Sequence, residues 1–211
     1  MTGEGPGQTE GPRIITELNG AEAVIRINHP ARRNALSTAT LQELDAAVSA
    51  VIALSSISTI ILTGTGDVFS SGANIREIQS LTPITAKEFA RRGQRLFQKI
   101  ADAPQQTIAA INGYCMGGGL DLALACDFRC ASHNAVFAHP GAQLGIITGW
   151  GGTQRLPRLI GEALALEIFM TARRVSSREA LEIGLVDRLG DSAIDCAREL
   201  ARTLSVECKE S

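Results

Sequence analysis

The chain has 211 residues, enough for one large domain, and its 45% apolar and 20% charged residues are the balance of an ordinary globular protein. A formal net charge of −2 excludes the basic surplus of a general nucleic-acid binder. No run of 18 apolar residues is present to span a membrane, and the acidic, glycine-rich opening MTGEGPGQTEGP lacks the parts of a signal peptide. Residues 1–12 therefore read as a disordered lead, and the protein as cytoplasmic.

After the lead, RIITELNGAEAVIRIN predicts two strands around a turn at Asn19-Gly20, the strongest short hairpin signal. The basic loop HPARRNALS ends in Ser37, a good N-cap for the helix TATLQELDAAVSAVIAL. TIILTG is a short β-branched run, as expected of a buried strand. TGDVFSSGANIREI reads as a glycine-punctuated loop entering a helical turn. From Lys87 to Ala101 the spacing predicts a helix with Phe89, Leu96, Phe97 and Ile100 near one face.

QTIAAIN is a second buried strand, followed by the triple glycine Gly117–Gly119 and a helix over LDLALAC. FRCAS and AVFAHP predict short strands. GGTQRLPRLIG and EALALEIFMTAR predict two helices meeting at Gly161, and SSREALEIGLVDRLG a helix stopped by Gly184 and then a short strand. SAIDCARELARTLSV is a terminal helix. Strands alternating with helices imply βαβ units and a layered α/β core. The five cysteines (Cys115, Cys126, Cys130, Cys196 and Cys208) are odd in number, and no second Cys/His pair completes a zinc set around Cys126 and Cys130. They read as reduced structural thiols, and no metal site is expected.

A strand, a glycine-rich turn and a helix start together make an oxyanion site. The first helical N–H groups lack partners, and the helix dipole favours negative charge there. The triple glycine has neither the Lys-Ser/Thr of a phosphate-binding loop nor the spacing of a dinucleotide fingerprint. A second glycine loop, SSGANIRE, spans Ser70 to Glu77. Together with NGYCMGGGLDLALACD, LGIITGWGGTQRLPRLIG, RRNAL and EALEIGLVD in this order, it resembles the crotonase (enoyl-CoA hydratase/isomerase) family over roughly residues 13–190.

The resemblance implies a crotonase-like α/β fold of repeated ββα units. It also implies an acyl-CoA-transforming, hydratase-like enzyme whose coenzyme A ester is the substrate, with no separate cofactor. The amides of Ala73 and Gly118 would hold the thioester oxygen as enolate charge develops on it. Ala73, Asn74, Ile75 and Arg76 would follow the CoA moiety, joined by Ala35 and by Arg33 and Arg76 as phosphate partners. The family also implies a homo-oligomer, a trimer or hexamer. Family chains continue with helices that cover the acyl pocket where this one reaches SVECKES, so residues 191–211 read as a shortened C-terminal helical region.

Two glutamates hold and activate water in typical hydratases. The first falls at Asp121, one methylene shorter, and the second at Gly141, which has no side chain. Asp121 remains the candidate acid–base group, although an acid on a first helical turn also stabilises the dipole without catalysing anything. His139 is the candidate replacement, since histidine ordinarily titrates near neutral pH; a packed, hydrogen-bonded histidine is the plainer alternative. Gly141 could instead leave room for water or an anion, as in the naphthoate-synthase branch, or Asp121 alone could shift a double bond. A catalytically weak acyl-CoA-binding subunit is a further alternative. Trp150 reads equally as an acyl-pocket wall or as core.

Overall fold

A computed structural model describes residues 11–207. Most of the expected lead, residues 1–10, and Cys208 lie outside the described residues.

The hairpin forms where expected: β1 (Ile14–Asn19) pairs antiparallel with β2 (Glu22–Ile27). Gly20 at its turn has φ +61°, a conformation that glycine adopts without Cβ strain. α1 (Thr38–Ile52) starts at Ser37, whose side chain accepts from the Thr40 amide at 3.1 Å. β3 (Thr59–Gly64) is buried at every position, as its apolar run required. β5 (Gln106–Ile111), β7 (Phe128–Ser132) and β10 (Arg188–Gly190) extend β2 and β3 into a parallel array, giving a six-stranded sheet ordered β1-β2-β3-β5-β7-β10.

Three of the four strands of the second sheet lie where no strand was expected. β4 (Val68–Ser70) lies within the expected glycine loop, β6 (Tyr114–Met116) stands between β5 and the triple glycine, and β9 (Val175–Ser176) precedes a helix. With β8 (Val136–Ala138) they form a four-stranded sheet ordered β4-β6-β8-β9. The sequence reading missed these three strands because two or three residues carry no periodicity; their pairing is tertiary.

Helix bounds also move. α2 (Ile75–Gln79) is short, and α3 (Pro83–Ala101) begins four residues before Lys87 because Thr82 and Thr85 form a capping box. α4 (Gly118–Ala123) starts inside the triple glycine. α5 (Gly152–Ile160) and α6 (Glu162–Thr171) meet at Gly161 as expected, followed by α7 (Ser177–Glu182). α8 (Ala193–Glu207) is not a region apart from the core. Its Ala193, Cys196, Ala197 and Leu200 pack on Val24, Ile61, Ile108, Ala110 and Cys130, closing one face of the large sheet. The larger cluster, including Leu41, Leu62, Phe69, Phe97, Phe137, Trp150 and Leu156, lies between the large sheet's other face, the second sheet and helices α1, α3, α4 and α5. No helix among the described residues is long and apolar enough to cross a membrane.

Candidate active site

Strands β4, β6 and β8 run parallel and side by side, with Ser70 beside Cys115 and Met116 beside Ala138. Their C-terminal ends therefore open together, where ligands of open α/β sheets bind. β4 leads into Ser71-Gly72-Ala73, β6 into Gly117-Gly118-Gly119, and β8 into His139-Pro140-Gly141. Register alone thus gathers three segments that lie far apart in the chain.

Gly117 turns the backbone sharply at φ +51° and ψ −118°, and its amide donates to the Ala138 carbonyl at 2.9 Å. The next amide, of Gly118, opens α4. A Cβ on Gly118 would stand 3.3 Å from the Ala73 nitrogen and 2.5 Å from the Trp150 ring. The two amides are thus neighbours, and the indole packs across the glycine. Neither amide donates a hydrogen bond among the described residues. Two adjacent, unspent N–H groups at a helix start are what an oxyanion requires.

They open into a cavity of about 250 Å³ whose wall includes Ala73, Ile75, Phe89, Gly118, His139, Gly141, Ile146, Thr148 and Trp150. The lining is mostly apolar, with polar groups at Ser71, His139, Thr148 and the two amides, as small-molecule sites generally are.

Asp121 lies on α4 behind this wall, fully buried. A buried carboxylate needs partners, and it has one on each oxygen. His139 Nε2 is 2.9 Å from Oδ1, and the Thr148 hydroxyl donates to Oδ2. Because a carboxylate only accepts, Nε2 carries the ring proton. The other ring nitrogen, Nδ1, makes no hydrogen bond among the described residues, and the residue lies in the cavity wall. The imidazole, 3% exposed, tilts against Phe169 at 4.9 Å between ring centroids. Burial, and then the charge of Asp121, push the thiol of nearby Cys115 well up.

The structure thus brings together Ala73, Ile75, Gly118, His139, Gly141 and Trp150 at the cavity and sets Asp121 one layer behind. Trp150 is both pocket wall and core, tilted against Phe89 and edge-on to Phe97. The remaining residues lie outside the cavity wall. Arg33 is exposed, 5.3 Å over the Tyr114 ring; Arg76 is exposed on α2; Asn74 caps α2; Ala35 is half-buried in the loop before α1. That loop is nevertheless tied to the site, since the amides of Ser71 and Leu36 donate to Arg33 and Gly72 at 3.0 and 2.8 Å. Sequence reading missed Thr148: a bond spanning 27 residues leaves no trace in local spacing.

A profile of the enoyl-CoA hydratase/isomerase family matches residues 17–209. The chain belongs to that family. Within it, the sequence is 44% identical to a crotonyl-CoA hydratase of Syntrophomonas wolfei over 83% of this chain and 68% of that one. It is 38% identical to a short-chain-enoyl-CoA hydratase of Clostridium acetobutylicum over 90% of this chain and 74% of the relative. A solved enoyl-CoA hydratase of Bacillus anthracis superposes with a TM-score of 0.87 at 35% identity, covering 92% of this chain and 77% of that one. The crotonase-like fold implied by the sequence motifs is the fold of this protein, and the protein is an acyl-CoA-transforming enzyme of the enoyl-CoA hydratase/isomerase family.

Proposed function

We propose that the protein reversibly adds water across the α,β double bond of a short 2-enoyl-CoA thioester. The observation that carries this reading is the convergence on one cavity of two unspent amides and an imidazole whose far nitrogen is bonded to a buried carboxylate. The thioester oxygen accepts from Ala73 and Gly118 N–H, which stabilise the enolate; one such donor commonly contributes ~3–4 kcal/mol to the transition state. His139 Nδ1 takes the proton, and Asp121 holds the tautomer and balances the imidazolium charge. The acid–base residue at the cavity wall is therefore His139, with Asp121 as its positioning group. Cavity size supports a short acyl group, and exposed Arg33 and Arg76 beside the oxyanion loops support phosphate contacts to CoA.

The single acid–base centre also favours a second reading, a shift of the double bond by one base that removes a proton at one carbon and returns it at another. The exposed apolar side chains Leu166 and Met170 on α6 support assembly into a homo-oligomer. Steady-state hydration of crotonyl-CoA tests the proposal, beside deuterium exchange at the α-carbon of butyryl-CoA. Wild type should do both, and His139→Asn should lose at least about 10²-fold in each, the contribution of one acid–base group. Tight CoA-ester binding with neither reaction would make the protein a binding subunit instead. A folded His139→Asn variant with full activity would remove the histidine from the chemistry.

A further inference from the structure

We propose that Thr148 is the second water-holding group of this site, standing in for the side chain absent at Gly141; the proposal rests on the hydration reading above. Asp121 accepts a hydrogen bond from each of two neighbours, the Nε2–H of His139 and the hydroxyl of Thr148. That leaves each neighbour able only to accept on its other side: Nδ1 by its lone pair, Thr148 Oγ1 by its remaining lone pairs. Both residues lie in the wall of the same cavity. A water donating one hydrogen to each would have its oxygen lone pair free to face the substrate. Asp121 thus fixes the polarity of both holders without touching the water.

Thr148 reaches Asp121 because of Gly141. The chain turns back on itself after Pro140, with the Ile146 amide donating to the Gly141 carbonyl at 3.0 Å and Gly145 in the left-handed region at φ +67°. A Cβ at position 141 would stand 2.6 Å from the Ile146 carbonyl oxygen. The missing side chain and the inward Thr148 are therefore one structural exchange. In the addition step the water O–H to His139 breaks and its proton passes to Nδ1. The water oxygen bonds to the β-carbon, and the π electrons move to the thioester as an enolate held by Ala73 and Gly118. His139 then returns that proton to the α-carbon, giving the 3-hydroxyacyl thioester with all atoms of water accounted for.

The test compares Thr148→Val with Thr148→Ser, reading crotonyl-CoA hydration beside α-proton exchange of butyryl-CoA, which needs the amides and His139 but no added water. In Thr148→Val hydration should fall about 10²-fold. Exchange should fall by a clearly smaller factor than hydration, because it loses only the Thr148 hydrogen bond that supports the Asp121 carboxylate and not a holder of the water. Thr148→Ser should restore hydration to within about tenfold of wild type. Equal losses in both reactions would make Thr148 merely a support for Asp121 and overturn the proposal, as would undiminished hydration in Thr148→Val. If wild type exchanges the α-proton but does not hydrate, the hydration reading itself fails and Thr148 loses its proposed role with it.

Discussion

A Cβ at position 141 would stand 2.6 Å from the carbonyl oxygen of Ile146, so any residue but glycine there pushes the 145–148 segment outward. Restoring the family carboxylate by Gly141→Glu is therefore expected to lower activity. The collision is with backbone, which does not step aside as a flexible side chain would. Overpacking of this kind costs about 1–3 kcal/mol, and the displaced segment carries Thr148. Crotonyl-CoA hydration should fall by at least about tenfold, with a lower urea midpoint; a gain in hydration at unchanged stability would mean that the segment yields and the new carboxylate finds the cavity. At this scale the motifs disclosed only part of the site. The meeting of the Ala73 and Gly118 amides at one cavity was legible because a backbone amide needs only glycine-rich turns at the right places. His139 was legible as a candidate from its place beside Gly141. That Asp121 faces His139 and Thr148 rather than the cavity was not, because the direction of a buried side chain is decided by distant partners.

Among elements, α3 meets the site through a notch. Gly93 on this helix and Gly118 on α4 are both covered by the Trp150 ring, which also lies against Phe89 and Phe97 at 5.1 and 5.6 Å between centroids. Gly93→Ala places a methyl into the indole. It should destabilise the protein by about 1–3 kcal/mol despite the better helix propensity of alanine, read as a shift in the urea midpoint without a change in m. A midpoint at or above wild type would mean that the ring has room to move. Long or apolar elements were visible in the sequence: β3 and β5 by their β-branched runs, α1 by its cap and spacing. β4, β6 and β9 were not, since strands so short exist only through their neighbours. Yet β4 and β6 lead into the two amides, so the least legible strands place the proposed oxyanion donors.

For the molecule as a whole, two apolar clusters on opposite faces of the large sheet hold Cys115, Cys126, Cys130 and Cys196. Burial pushes the Cys126 thiol up to about 12 and those of Cys115 and Cys130 upward as well. A raised pKa keeps each as the unreactive thiol at pH 8, and the packing denies reagents access. Native protein should therefore leave Cys115, Cys126 and Cys130 unalkylated by iodoacetamide for hours at pH 8, with labelling on unfolding in guanidinium, followed by peptide mass mapping. Prompt labelling of Cys130 in buffer would show that α8 lifts from the sheet on that timescale.

Trp150 is the sole tryptophan of the sequence, and it lies in the cavity wall across Gly118. Excitation near the red edge of protein absorbance therefore interrogates one place in the molecule. Its emission senses the polarity and quenching of the cavity, with no background from indoles elsewhere. In the proposed binding mode a thioester on the two amides comes within the reach of that fluorophore, so its occupancy would be followed in real time in unlabelled protein, in turnover-dead variants as readily as in active ones.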